Sequence, residues 1–185
     1  MRSSCVKCCV PVLMIALVGC SADAEEGTDR PPAGPAAGVA FEPLPGGWHL
    51  WTAAVRRERG CPVQSESIVT SWTPDRSNPG GPAGDMPHGG TMVSANVIRM
   101  HPDARVRADH PRLGRLPLAL PKHASGRLEG YDDIPEYRIF RSGRRFVLEV
   151  RVAIAERHPR AGMLARAQKV VDRLRLPEWI RHTCP

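Results

Sequence analysis

The chain has 185 residues, with 26 Lys and Arg against 19 Asp and Glu, and its formal net charge is +7. This length favours one domain of ordinary size over two. A GC-rich coding sequence would explain the composition, which includes 23 arginines against 3 lysines, 19 prolines and 17 glycines. The positive charge by itself therefore indicates solubility rather than a binding partner.

The N-terminal segment has the pattern of an export signal. Arg2 and Lys7 provide positive charge without any acid, and the ten residues 10–19 that follow are uncharged. A helix that spans a bilayer needs about 20 apolar residues. The run therefore predicts a secretory signal peptide over residues 1–19 rather than a permanent span. Because the rest of the chain has no apolar run of spanning length, we expect the body to be soluble.

The signal ends in Leu17-Val18-Gly19-Cys20, which resembles the lipobox of bacterial lipoproteins at all four positions. In that family a transferase attaches diacylglycerol to the thiol of the last lipobox residue, and a type II signal peptidase cuts just before it. The resemblance implies lipidation of Cys20 and cleavage between Gly19 and Cys20. The alternative is an ordinary secretory signal in which the cysteine occurs by chance.

The lipobox resemblance also implies a location. One acyl chain holds a protein only marginally at a membrane, whereas two hold it stably. The two chains of a diacylglyceryl Cys20, with a third fatty chain such as palmitate on the freed amine, would anchor the protein to the cell membrane. We expect it on the extracytoplasmic face, without a span. In general appearance the body resembles the small, uncharacterised lipoproteins of high-GC bacteria, a resemblance that carries no site residues.

Two cysteines remain once the signal is removed and Cys20 carries lipid, namely Cys61 and Cys184. Exported domains lie in oxidising surroundings, where disulfides persist. We therefore predict a Cys61–Cys184 bridge, which by the loop-entropy model could stabilise the fold by about 5 kcal/mol. The alternative is two free thiols. A metal site using His182 has less support, because no paired ligand spacing accompanies it.

Beyond the anchor, residues 21–40 are rich in alanine, proline and glycine and cannot bury enough apolar surface to fold. We interpret residues 20–40 as the lipidated cysteine with a flexible tether, whose typical reach is about 25 Å. Residues 41–185 are then one globular domain. Strands are predicted at residues 68–72 and 92–100, and residues 48–55 fit either a strand or a short helix. A long loop rich in proline and glycine occupies residues 73–90.

Residues 101–127 are basic and interrupted by prolines. Four arginines in this stretch are candidates for an anion-binding surface, at positions Arg105, Arg107, Arg112 and Arg115. The alternative is a solvated charged face. The alternation of Leu116, Leu118 and Leu120 predicts a short strand.

The clearest structural pattern lies near the C-terminus. Two runs at residues 136–141 and 145–155 flank the turn at Ser142 and Gly143, and in the second run apolar residues alternate with polar ones, which predicts a hairpin. A helix with one apolar stripe follows from Pro159 to about residue 176, and Trp179 is expected to pack back. Strands followed by one terminal helix predict an α+β fold, with an antiparallel sheet and a C-terminal helix packed on one face.

Few residues suggest catalysis. His88-Gly89-Gly90 resembles the oxyanion-hole loop of esterases, but the chain has no G-x-S-x-G nucleophile motif. Asp132 and Asp133 could act in acid–base chemistry or bind a cation, and the alternative is a solvated turn. No two of the seven histidines have a ligand-like local spacing, and no phosphate-binding glycine loop is present. We therefore predict no catalytic residue, metal site or cofactor.

These observations favour a membrane-anchored envelope lipoprotein with a non-catalytic binding or scaffolding domain. Its partner would be an anionic envelope polymer or a membrane protein, and not nucleic acid, because of the compartment and because nine aromatic residues give little surface for base stacking. One alternative is an accessory subunit of a membrane complex, which predicts an exposed apolar patch. Another is an envelope hydrolase using His88, Asp132 or Asp133, which predicts a deep pocket with convergent polar groups.

Overall fold

A computed structural model describes residues 38–100 and 111–181, all of which belong to the compact unit Pro32–Pro185. The predicted α+β fold is confirmed, because an antiparallel sheet dominates these residues and a helix follows it near the C-terminus. The strands are β1 (Ala40–Phe41), β2 (His49–Glu58), β3 (Cys61–Thr70), β4 (Thr91–Arg99), β5 (Gly126–Leu128), β6 (Tyr131–Ser142), β7 (Phe146–Ile154) and β8 (Leu174–Arg175). The helices are α1 (Gly81–Gly84) and α2 (Ala161–Val171), with a 3-10 turn at Glu178–Ile180.

The main sheet has six antiparallel strands in the order β2-β3-β4-β7-β6-β5, and β1 pairs with β8 in a separate two-stranded sheet. The central strands β4 and β7 alternate between apolar and polar residues, so each places its apolar side chains on one face. Val93 lies opposite Val152 and Val97 lies opposite Leu148, and all four are fully buried. The main core therefore lies on this face of the sheet.

Helix α2 covers that same face. Its buried residues recur at helical spacing and belong to the same apolar cluster as the core residues of β4, β6 and β7; they are Met163, Ala167, Val170 and Val171. The predicted packing of the terminal helix on one face of the sheet is thereby explained by one amphipathic stripe. Within the described ranges, neither helix has the length and apolarity needed to cross a bilayer.

The opposite face of the sheet is polar, as expected for an antiparallel sheet that buries only one side. The Gln64 Nε2 atom donates to Asn96 Oδ1 at 3.2 Å across β3 and β4. One end of this face carries a second, smaller apolar cluster, in which Leu128, Ile134 and Ala153 are buried and loop residues including Ala83 and Met86 pack on them. The loop between β3 and β4 thus folds over one end of the polar face.

The predicted hairpin is confirmed, with β6 and β7 extending slightly beyond the predicted runs. The predicted strand at residues 92–100 is confirmed as β4, and the ambiguous segment at residues 48–55 is a strand within β2. Strands β2 and β3 form a further hairpin, whose two-residue turn at Arg59 and Gly60 has φ values of 49° and 82°. Positive φ at both residues suits the right-handed twist of paired strands.

The strand predicted at Leu116–Leu120 is wrong, because the segment around Leu118 is irregular. Its backbone groups bond to a helix side chain instead of a neighbouring strand. The Gln168 Nε2 atom donates to the Leu118 oxygen at 2.7 Å, and Gln168 Oε1 accepts from the Leu120 nitrogen at 2.8 Å. Leu118 alone of the three leucines is buried, so the alternation does not reflect a sheet face.

The C-terminal part of the fold is held against the sheet. Helix α2 ends at Val171, earlier than predicted, because Leu174 pairs with Phe41 as part of β8. Trp179 packs back as predicted and is buried. The Arg99 guanidinium lies 5.2 Å from the centre of the Trp179 ring and donates to the Trp179 oxygen at 3.2 Å, which is a cation–π contact supported by a hydrogen bond.

Candidate functional site

The loop between β3 and β4 places His88 at the edge of two clefts. Its last residues are tied to the end of β7, since Gly89 donates to the Ala155 oxygen and Ala155 donates to the Gly90 oxygen, both at 2.9 Å. A Cβ atom at Gly90 would lie 2.8 Å from the Pro87 oxygen, so only glycine fits this turn without a shift. His88 is therefore an exposed side chain on a backbone with little freedom.

One cleft, which we call the tryptophan cleft, has a volume of about 370 Å³. Four separate parts of the chain meet there: the turn before β2, the end of β3, the residues that lead into β4, and helix α2. Its principal side chains are those of Trp48, Ser71, Trp72, His88 and Arg166. Three of these segments adjoin strands of the main sheet and the fourth is part of α2, so the cleft lies where the sheet and the helix meet.

Short hydrogen bonds hold the backbone around this cleft. The Ser71 nitrogen donates to the Thr91 oxygen, and the Thr91 nitrogen donates to Ser71 Oγ, both at 2.9 Å. The Thr70 hydroxyl donates to the Trp72 oxygen at 2.6 Å, which fixes the backbone of the tryptophan itself. Opposite it, Trp48 follows a turn in which its nitrogen donates to the Pro45 oxygen at 3.2 Å.

The tryptophan cleft contains polar groups that the described residues leave without partners. The Trp72 Nε1 atom is buried and has no acceptor, a situation that costs about 1–3 kcal/mol for a typical buried polar group. Arg166 and His88 are exposed, and neither makes a hydrogen bond or an ion pair within residues 38–100 and 111–181. The cleft thus combines two tryptophans with an exposed cation.

The second cleft, which we call the acidic cleft, has a volume of about 430 Å³ and lies over the smaller apolar cluster. Its titratable residues are His88, Tyr131, Asp133, Glu156 and Arg157. Two of the three candidate hydrolase residues, His88 and Asp133, line this cleft, whereas Asp132 does not. The adjacent Asp132 and Asp133 therefore do not form one shared carboxylate pair here, because neighbouring residues of β6 point to opposite faces.

The loop before the acidic cleft is organised around Asp75 and Asp85. The Asp75 carboxylate accepts hydrogen bonds from the Ser77 nitrogen at 2.8 Å and from the Ser77 hydroxyl at 2.7 Å. These bonds favour the ionised form and lower the pKa of Asp75 below its usual value of 3.8. The Asp75 nitrogen in turn donates to Asp85 Oδ2 at 2.6 Å, which closes the loop on itself.

The four arginines predicted to bind anions are not brought together by the described structure. Arg105 and Arg107 lie outside the described residues. Arg112 and Arg115 are both exposed, and Arg112 forms an isolated parallel bridge with Ser142 at the end of β6. An anion-binding surface built from all four arginines therefore stays a prediction.

The residues predicted to undergo covalent chemistry lie mostly outside the described part of the chain. Gly19 and Cys20 precede it, and Cys184 follows it. Cys61 begins β3, is partly buried and is not a free side chain. The pairing of Cys61 with Cys184 stays a prediction. Across residues 38–100 and 111–181, no group of three or more potential ligands could hold a metal ion.

The tryptophan cleft was not among the sequence predictions, because its residues are far apart in the chain. A partial indication was present: Trp48 follows the Gly46-Gly47 turn and Trp72 precedes Thr73-Pro74, so both tryptophans lie where strands give way to loops. No family model, curated protein or solved structure matches this chain. The candidate site is therefore argued from its own geometry.

Proposed function

We propose that this chain is a lipid-anchored protein of the cell envelope, whose domain binds a ligand from the extracytoplasmic side of the membrane. The anchor is proposed from Leu17-Val18-Gly19-Cys20 at the end of a ten-residue uncharged run. The binding role is carried by one observation, the tryptophan cleft, in which four chain segments bring the exposed Arg166 next to two tryptophans.

An exported domain would lie in oxidising surroundings, in which the predicted Cys61–Cys184 disulfide would persist. The position of the fold in the chain also suits a tethered domain. Val39 and Phe41 are buried in the main core, so the described fold begins close to residue 38, and we propose the residues between Cys20 and Gly38 as the spacer. A spacer of this length would let a small domain reach ligands beyond the lipid headgroups.

The anchor is tested by Cys20→Ser. Because serine lacks the thiol that accepts diacylglycerol, we expect this variant to lose incorporation of labelled palmitate and to leave the membrane fraction. The matched control is Cys9→Ser, which removes a cysteine from the segment just before the uncharged run but keeps the lipobox, and it should be labelled and retained like the unmodified chain. Unchanged labelling and membrane retention of Cys20→Ser would rule out lipidation at this position.

A further inference from the structure

We propose that the tryptophan cleft binds a sugar unit that carries an acidic group, either a carboxylate or a phosphate. This inference rests on the proposed binding function and names its ligand class. It begins from the two tryptophans. Trp48 packs against the main core, whereas Trp72 is part of neither apolar cluster of the described residues and is only partly buried. Core packing therefore does not account for the position of Trp72.

An indole ring at the wall of an open cleft provides a flat apolar surface with one polar edge. The ring C–H groups of a pyranose form a surface of matching size, while its hydroxyl groups point outward and can accept or donate hydrogen bonds. The Trp72 Nε1 atom itself is inaccessible to solvent, so the contact between this side chain and a sugar would be stacking on the indole ring.

The charge of the cleft selects an acidic ligand. Arg166 and His88 line it, and none of its lining residues is a carboxylate. The adjacent acidic cleft, by contrast, is lined by Asp133 and Glu156. A guanidinium without a protein partner favours a carboxylate or phosphate, with which it forms charge-assisted hydrogen bonds. The tryptophan cleft therefore favours anions, whereas in the acidic cleft two carboxylates offset the positive charge of Arg157.

The rigidity of the walls supports a specific site rather than loose adsorption. The bonds between Ser71 and Thr91, and between Thr70 and Trp72, fix one wall, and helix α2 fixes Arg166 on the other. Because the backbone of both walls is already held, a ligand has to order little more than the Arg166 side chain, and less binding free energy is lost. Cell-envelope polymers that carry uronic acids or sugar phosphates present this chemistry in repeated units.

The test measures binding of defined oligosaccharides to the full-length protein in detergent by isothermal titration calorimetry. The probes are a galacturonic acid tetramer for the carboxylate, a mannose-6-phosphate oligosaccharide for the phosphate, neutral maltotetraose and inorganic phosphate alone. We expect at least one acidic oligosaccharide to bind at least about tenfold more tightly than maltotetraose and inorganic phosphate. The first two probes distinguish the two sources of negative charge.

Substitutions then locate the site. Trp72→Ala and Arg166→Gln should each weaken binding of the acidic oligosaccharide by at least about tenfold. The matched controls are Trp51→Ala, a partly buried tryptophan of β2 that does not line the cleft, and Lys169→Gln, an exposed cation on the same helix. Both controls should stay within about twofold of the unmodified protein. Arg166 is exposed, so its replacement leaves the fold intact even if Trp72→Ala does not.

Three results would overturn the inference: no binding of either acidic oligosaccharide, equal binding of maltotetraose or inorganic phosphate, or binding that Arg166→Gln leaves unchanged. These results are distinguishable from failure of the anchor. If Cys20→Ser left palmitate labelling unchanged, the binding measurements would still test the cleft. If the protein bound no saccharide, the labelling of Cys20 would still test the anchor.

Discussion

Glu136 is completely buried on the polar face of the sheet, and replacing it with glutamine tests how this face is held together. In the register of the sheet it lies between Gly126 of β5 and Ala153 of β7, two small residues that leave room for a carboxylate. The Arg151 Nε and Nη2 atoms both lie 2.6 Å from Glu136 Oε1, and Arg138 pairs with Oε2. One buried anion therefore joins two cations that lie opposite each other on β6 and β7.

The expected cost of Glu136→Gln follows from these contacts. Removing one member of a fully buried ion pair costs about 3–5 kcal/mol, because the remaining charge is left buried without compensation. Here the arginine side chains are 36% and 33% exposed, so water partly replaces the lost carboxylate. We therefore expect the free energy of unfolding to fall by about 2–3 kcal/mol, to which mutual repulsion of Arg138 and Arg151 contributes.

The assay is urea unfolding followed by tryptophan fluorescence, with the slope of free energy against urea compared between variants. The matched control is Glu149→Gln. The Glu149 carboxylate is 25% exposed and lies 3.9 Å from Arg151 Nε, so its loss should cost less than about 1 kcal/mol. If Glu136→Gln were no less stable than Glu149→Gln at an unchanged slope, the interpretation of Glu136 as the electrostatic centre of this face would be refuted.

Two further predictions concern single groups. Burial raises the pKa of the Tyr137 hydroxyl above its usual value of 10.0, and the positive charge of Arg127 opposes this with a smaller effect. The contribution of the neutral hydroxyl to stability is therefore fully present below pH 10.0 and is lost as the pH rises through the raised pKa. In a Tyr131→Phe variant, absorbance at alkaline pH should report this single tyrosine, and ionisation below its usual pKa in the folded state would contradict the argument. Thiol titration of the unfolded, non-reduced, lipidated protein should find no free thiol if Cys61 and Cys184 are bridged, whereas two reactive thiols would exclude the bridge.

Much of the fold could be predicted because its elements are set by local patterns. The alternation in β7 identifies its buried face from the sequence alone, and Pro159 with the apolar stripe of the helix locates α2. The strand expected at Leu116–Leu120 failed because a helix side chain, Gln168, bonds to this segment's backbone, and no local pattern contains that long-range contact.

The candidate site was less predictable than the fold for the same reason. Trp48 and Trp72 flank the open end of the β2–β3 hairpin, in which His49 pairs with Thr70, whereas Arg166 comes from helix α2 and joins them only in the folded domain. The glycine-rich surroundings of His88 identified it in the sequence, but nothing there indicated the tryptophans and the arginine that line the same cleft. Asp133 reaches the acidic cleft while Asp132 does not, a distinction that requires the register of β6.

The pairing of β1 with β8 has a mechanical consequence for a tethered domain. If the domain is tethered as proposed, a pull along the chain before Gly38 would first reach the Val39 nitrogen, whose 2.8 Å hydrogen bond to Ser65 Oγ would pass part of the load directly to the six-stranded sheet. The rest of the load would reach β1, which is held to β8 by two residue pairs. Because β8 immediately follows helix α2, tension would be shared between both layers of the fold instead of peeling away one strand.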